Sequence, residues 1–262
     1  MNKGAIYILS TGTGDPGQLT QNVVDYLQKS DLIVSYTKYL KDIEPVVKGK
    51  EVYSTGMTHE VERCKYAIEQ ALTCKKVALI SNGDANVYGM AGLVLEIIEE
   101  NNLWNKLEVV IEPGITSFLA AAAKAGGAVM NDFAIISLSN LLTPDDKIQK
   151  RIHAAFEADF VVGIYNPLSH SRKEPYFMFL DALKQYKKAE IPVVVAQNIG
   201  RKEEQIWVKT VGDLLELKDN MDMINMSTVL IIGNSNTKTV NSGKNVVTKR
   251  GYQQNYDYKI DE

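Results

Sequence analysis

The chain has 262 residues, 45% of them hydrophobic and 23% charged, and carries a formal net charge of −3. These proportions describe a folded globular protein and exclude a disordered or collagen-like chain. The acidic balance argues against nucleic acid as the partner, which requires a strong basic face, but leaves room for an anionic small molecule held by a few placed cations.

The opening MNKGAIYILSTGTGD has a short apolar run leading straight into a glycine-rich turn, so it reads as a first strand at 5–10 and not as a signal peptide. No apolar run approaches the roughly 18–20 residues needed to span a bilayer, so no membrane partner and a cytoplasmic location are expected. Residues 19–29 place Leu19, Val23, Tyr26 and Leu27 on one helical face. A second strand follows at 32–36. Residues 60–72 align Val61, Cys64, Ala67, Ile68, Ala71 and Leu72 in one stripe, an amphipathic helix. The uninterrupted apolar run at 77–81 has the character of a parallel strand covered on both faces. A helix at 88–100 and a strand at 107–111 complete the first half.

Pro113-Gly114 punctuates the chain, and a second series begins. Its expected elements are an Ala-rich helix near 117–124, a strand at 133–137 and a helix after Pro144. Strands at 160–165 and 193–197 bracket a helix at 175–186, and strands at 206–209 and 228–233 close the set. Residues 238–250 carry four cations and no acid, the composition of a flexible tail. The fold class is therefore α/β, as two consecutive α/β lobes, 1–113 and 114–262, with the active site expected in the cleft between them.

Four loops follow strands and carry chemistry. Gly12-Thr13-Gly14-Asp15-Pro16-Gly17 is a literal G-x-G-x-x-G between strand and helix, the pattern of a nicotinamide-binding turn. Asp15 and Pro16 place a negative charge and a missing N–H where a pyrophosphate would sit. Asp84, in the Gly-Asp turn after the third strand, either accepts hydrogen bonds from a ligand or caps a helix. Thr116 and Ser117 are candidates to N-cap the Ala-rich helix. The loop after Tyr165 gathers His170, Arg172 and Lys173 without an acid, suited to carboxylates or to solvent. The three histidines are scattered and G-x-S-x-G is absent, which speaks against a triad. Cys64 and Cys74 form neither a disulfide scaffold nor a zinc cluster, so no metal site is expected. Cys64 belongs to the core.

The run of Gly12-x-Gly14-Asp15 with Leu19-Thr20, then Gly83-Asp84, then Pro113-Gly114-Ile115-Thr116 resembles the tetrapyrrole methylases, enzymes that use S-adenosylmethionine to modify uroporphyrinogen-derived rings. Tyr36-Thr37-Lys38-Tyr39, Gly56-Met57, Glu60-Val61-Glu62-Arg63, Val87-Tyr88-Gly89-Met90, Leu141-Leu142-Thr143-Pro144 and Tyr165-Asn166-Pro167 look like one branch, which methylates ring carbon 17 and contracts the macrocycle in cobalamin biosynthesis. Gly200-Arg201-Lys202-Glu203-Glu204 and Thr248-Lys249-Arg250-Gly251-Tyr252 continue the likeness and replace the flexible-tail reading. The resemblance implies two lobes, a homodimer, and S-adenosyl-L-methionine held by Thr13, Asn82, Gly83, Asp84, Val87, Thr116, Ser117, Asn166 and Gly200. Where the family often has Pro at 13 and Gly at 35, this chain has Thr13 and Ser35, and Ala85-Asn86 replaces the commoner Pro or Ala followed by Gly. For the ring contraction the candidate acids and bases are Asp132, Ser137 and Asp15. Lys38, Arg63, Arg172, Arg201 and Arg250 are candidates to receive the ring's carboxylates. The competing readings are an NAD-dependent oxidoreductase built on Gly12, Gly14 and Gly17, and a ligand-binding protein without catalysis.

Overall fold

The computed structural model describes residues 3–218, 220 and 222–257. The outer ends of the two expected lobes, 1–2 and 258–262, lie outside the described residues. The chain divides into two compact units, Met1–Ser117 and Phe118–Glu262.

The first unit runs β1 (Gly4–Ser10), α1 (Gln21–Lys29), β2 (Leu32–Tyr36), α2 (Thr37–Val47), β3 (Glu51–Thr55), α3 (Glu60–Leu72), β4 (Lys76–Ser81), α4 (Ala91–Glu100) and β5 (Leu107–Glu112). Its five strands form one sheet in the order β3-β2-β4-β1-β5, with every neighbouring pair parallel. Parallel strands covered on both faces need continuous apolar runs. All of β1 and all of β4 after Lys76 are buried accordingly. Side chains alternate between faces with period two. Ile6 and Ile8 pack with Cys64 and Ile68 of α3 and Val94 of α4, while Tyr7 and Leu9 pack with Val23 and Leu27 of α1 and Ile43 of α2.

The α3 stripe forms with the expected bounds, but its ends differ. Val61 and Leu72 stay exposed, and Arg63 is buried instead. Burial pushes the Cys64 thiol up to about 12, whereas Cys74 is exposed. Native protein treated with iodoacetamide at mildly alkaline pH should therefore gain one adduct per chain, on Cys74. Intact mass reads this, and a second adduct without denaturant would contradict the burial of α3.

Three expectations are corrected. The helix expected from residue 19 starts at Gln21, because a 3-10 turn (Pro16–Gln18) precedes it and Leu19 is extended. The helix expected from residue 88 starts at Ala91, since Tyr88 has φ 55° and cannot be helical. The pair α2 and β3 has no counterpart in the sequence reading: α2 contains Pro45 and buries only Ile43 and Val47, and β3 is an edge strand with no buried residue.

The second unit contains α5 (Ser117–Ala125) from its second residue on, β6 (Gly126–Gly127), β7 (Phe133–Ser137), α6 (Asp145–Glu157), β8 (Val161–Tyr165), α7 (Glu174–Tyr186), β9 (Pro192–Gln197), β10 (Gln205–Thr210), α8 (Val211–Leu217), β11 (Thr228–Ile232), β12 (Thr237–Val240) and β13 (Asn245–Thr248). Its main sheet is ordered β10-β9-β11-β8-β7. Here β7 and β8 are parallel, while β11 runs antiparallel to both β8 and β9. The carboxyl ends of β7, β8 and β9 consequently share one edge with the start of β11. Phe118 is fully buried among Val161, Val194 and Ile231, and its ring occupies the space beside Gly163 where any side chain would stand.

Residues 238–250 are no tail. Strands β12 and β13 pair as a hairpin, and β13 joins β6 in a three-stranded sheet. Val246 enters the Phe118 core, and buried Thr248 donates from Oγ1 to the carbonyl of Ala128 at 2.6 Å. Replacing Thr248 by Val keeps the shape but orphans that carbonyl, a loss of about 1–2 kcal/mol. Scanning calorimetry should show Tm lower by roughly 2–8 °C; an unchanged Tm would mean the hairpin is held without this bond.

No helix among the described residues is long and apolar enough to cross a membrane.

Candidate functional site

Ligands of parallel α/β sheets gather outside the carboxyl ends of the strands. In the first unit, three such ends carry the glycine motifs, and hydrogen bonds tie them together. After β1 and β4, Gly12 and Gly83 bond reciprocally, N to O at 3.1 Å and 2.6 Å. Both are left-handed, φ 66° and 68°, a conformation glycine adopts without strain. Asn82 donates from Nδ2 to the carbonyl of Gly12 at 2.8 Å. Asp84 reaches the third loop: its Oδ2 accepts from the Gly114 amide at 3.0 Å, and its Oδ1 accepts from the Asn86 amide at 2.8 Å. Gly114 passes so close that a Cβ there would lie 2.4 Å from the carbonyl oxygen of Gly83.

Thr13 is buried and donates to Gln18 Oε1 at 2.7 Å. The amide of half-buried Val87 donates to the carbonyl of Asp84 at 3.0 Å. Thr116 is buried and Ser117 opens α5. Seven of the nine residues assigned to the methyl donor thus stand on this one edge.

The first turn is a poor pyrophosphate site. Asp15 Oδ1 accepts from the Gly17 amide at 2.8 Å, and Pro16 has no amide to offer. The helix begins only at Gln21, with Thr20 Oγ1 already accepting from Val23 N at 3.3 Å. The amides that a dinucleotide turn presents to phosphate are therefore occupied, absent or displaced. Residues 10–17, 82–90 and 113–117 include Asp15 and Asp84 but no Lys or Arg. An acidic edge, bare of side chains at its glycines, suits a cationic, hydrogen-bonding molecule such as a sulfonium amino acid better than a diphosphate.

The corresponding edge of the second unit has its own network. Asn166, at φ 52°, donates from Nδ2 to Ser137 Oγ at 2.9 Å, and the Ser139 amide donates to the same oxygen at 3.1 Å. Arg172 donates from Nη1 to Ser139 Oγ at 3.0 Å and from Nη2 to Met226 Sδ at 3.5 Å, partners that do not neutralise its charge. Gly200, just past β9, donates its amide to Glu204 Oε2 at 2.7 Å, and Glu204 is paired with Lys124. Half-buried Arg201 follows. Ser137, Asn166, Arg172, Gly200 and Arg201 thus stand on one edge.

Other candidates, Asp15 of the β1 turn excepted, do not join these groups. Asp132 immediately precedes β7 and Ser137 ends it, so roughly 15 Å of strand separates them at about 3.3 Å per residue. Exposed Asp132 accepts from Val161 N through its carbonyl at 3.2 Å. Arg250 is exposed near that same far end, where Asn131 Nδ2 donates to the Lys249 carbonyl at 3.2 Å. Asp15 and Lys38 are exposed in the first unit, on the β1 turn and the first turn of α2. Arg63 is only 2% exposed. Its Nη1 donates to Thr55 Oγ1 and to the Gly56 carbonyl, the latter at 3.2 Å, and its guanidinium lies 5.8 Å from the Tyr36 ring centroid. So enclosed, Arg63 fastens the ends of β2 and β3 and does not meet a ligand from solvent.

Sequence reasoning passed over Ser10, whose Oγ accepts from Ala85 N at 2.8 Å, and Tyr165, whose hydroxyl accepts from Phe118 N at 2.9 Å. The available signal was position, since each is the last residue of its strand. It also passed over His59, whose hydrogen bond at 2.7 Å, with a second from Tyr53, holds the Glu62 carboxyl below its usual range. A groove of about 420 Å³ beside Val247, Tyr252 and Tyr256 belongs to the C-terminal hairpin and to neither edge. No group of three or more metal-ligating side chains occurs among the described residues.

The family model of the Tetrapyrrole (Corrin/Porphyrin) Methylases matches residues 5–215. The chain is 41% identical over 245 residues to a probable cobalt-factor III C(17)-methyltransferase of Salmonella typhimurium, covering 94% of this chain and 98% of that one. It is 40% identical over 253 residues to a protein so named from Methanocaldococcus jannaschii, covering 96% and 99%. The solved structure of the methyltransferase CobJ matches with a TM-score of 0.86 at 31% identity, over 94% of this chain and 100% of that one.

Proposed function

Because the chain belongs to the tetrapyrrole (corrin/porphyrin) methylases, we propose that it is an S-adenosylmethionine-dependent methyltransferase acting on carbon 17 of cobalt-factor III or precorrin-3B, with contraction of the macrocycle, in cobalamin biosynthesis. The observation that carries this reading is the likeness, over nearly the full length of both chains, to two proteins named for that activity. A homodimer, implied by the resemblance, and a cytoplasmic location without a resident metal, read from the sequence itself, belong to the same proposal.

S-adenosylmethionine supplies an electrophilic methyl group on a sulfonium. A ring carbon of the substrate attacks it, so no protein nucleophile is needed, and the protein's work is to hold the reacting atoms in line at about 3–3.5 Å. On the first unit, Asp84 and the Gly12–Gly83 pair together lock the three loops that would hold the donor. Gly12 and Gly83 leave the backbone open to close approach, while Gly114 lets the β5 loop pass against Gly83. On the second unit, Ser137 Oγ already accepts from Asn166 and Ser139. With both lone pairs engaged, its hydroxyl is left to donate. Of the acid and base roles expected for Ser137, this favours the donor's side, with the hydroxyl turned toward the macrocycle.

Two measurements test the proposal. S-adenosylmethionine should raise the melting temperature and NAD should not, because only a ligand of the native state stabilises it. Turnover on cobalt-factor III and on metal-free precorrin-3B, read as gain of one methyl mass, identifies the route. Stabilisation by NAD alone, or no methylation of either ring, would overturn the reading.

A further inference from the structure

Leu142 is 98% and Leu141 71% exposed, the two most exposed large apolar side chains among the described residues. Folding gains nothing from leucines left in water. They do not ride on a loose segment. At one foot of the loop, the buried Leu138 donates its amide to the Tyr165 carbonyl at 2.9 Å, and Ser139 Oγ accepts from Arg172 at 3.0 Å. At the other foot, the Pro144 carbonyl accepts from the amides of Lys147 and Ile148, both at 3.1 Å, starting α6 over buried Ile148. The arch between them holds the two leucines out at the edge that carries Ser137, Asn166 and Arg172.

The charges around the arch complement an amphiphilic anion. Leu142 is three positions along the chain from Ser139, so its backbone is within about 10 Å of the Arg172 anchor. Residues 138–143 contain no acid, and among the described residues the Arg172 guanidinium has only a hydroxyl and a thioether as partners. Asp145 and Asp146, next along the chain, sit in the first turn of α6, where the helix N-terminus offsets part of their charge. His170 and Lys173 flank Arg172 on its own loop. An apolar pair beside an uncompensated guanidinium fits a ligand with a broad apolar face and carboxylates on its rim.

We propose that Leu141 and Leu142 seat one face of the macrocycle while Arg172 receives a rim carboxylate. The assignment rests on the tetrapyrrole reading above and adds to it the residues that grip the ring.

The test uses the full chain with uroporphyrin as the probe, followed by fluorescence quenching. The variants are Leu142→Ser, the double variant Leu141→Ser/Leu142→Ser, and Leu142→Met. Leu142→Ser should raise the uroporphyrin Kd about tenfold, the loss expected when one leucine's buried area is withdrawn. The double variant should raise it further, and Leu142→Met should restore it. The Kd for S-adenosylmethionine and the sedimentation coefficient should not move. Unchanged uroporphyrin affinity in the double variant would overturn the assignment. So would altered sedimentation at unchanged affinity, which would mean that the arch contacts a second copy of the chain. Failure of the unaltered chain to bind any uroporphyrin would bring down the tetrapyrrole reading itself, and this assignment with it.

Discussion

Replacing Asp84 by Ala is expected to weaken S-adenosylmethionine binding by about 30-fold or more in calorimetry, the equivalent of roughly 2 kcal/mol. The side chain accepts from Gly114 and Asn86 at 3.0 Å and 2.8 Å, and bonds to a charged acceptor contribute about 1.5–3 kcal/mol each. The bond to Gly114 ties the β5 loop to the β4 loop across Gly83. Asp84→Asn should be nearly as damaging, because one end of the amide must then turn a donor toward a backbone N–H. Unaltered affinity in both variants would mean that the clamp forms no part of the donor site.

Gly163→Ala should be the more severe change for stability. A Cβ at that point of β8 would lie 2.4 Å and 2.5 Å from Phe118 Cδ2 and Cε2, and neither atom can retreat, since Phe118 is fully buried. Overpacking of this kind costs about 3 kcal/mol, which lowers Tm by roughly 6–12 °C. Phe118→Leu alone should also destabilise, by about 1–2 kcal/mol. Combined with Gly163→Ala it should recover part of the loss, giving a coupling of at least about 1 kcal/mol in a double-mutant cycle. Strict additivity would mean that the ring and the strand do not compete for the same space.

The parts legible in the sequence are those whose physics is local. The apolar runs of β1 and β4 and the small-residue stripe of α3 announce a covered parallel sheet, and the glycine loops announce its ligand edge. Where burial is decided by partners distant in the chain, the reading failed. Arg63 looks like a surface charge on α3, yet it is enclosed by the ends of β2 and β3, which the sequence does not bring near it. Asp132 and Ser137 stand close in sequence, but an extended strand sets them at opposite edges. The cations of 238–250 suggested solvent, and for three of the four that is true: Lys238, Lys244 and Arg250 are exposed. It is Val246 and Thr248, alternating inward on β13, that fold the segment. Edge strand β3 buries none of its residues, so it has no apolar signature to find.

The pairing of β13 with β6 has a consequence for synthesis. Thr248 and Ala128, joined by one hydrogen bond, lie 120 positions apart, and Val246 fills part of the core around Phe118. A nascent chain can close its first sheet once β5 has left the ribosome. The second unit must wait for nearly its last strand, holding α5 and β6 unfinished while more than a hundred residues are translated. Such late closure gives a high contact order and slow folding, and it leaves β13 to complete the core around Phe118.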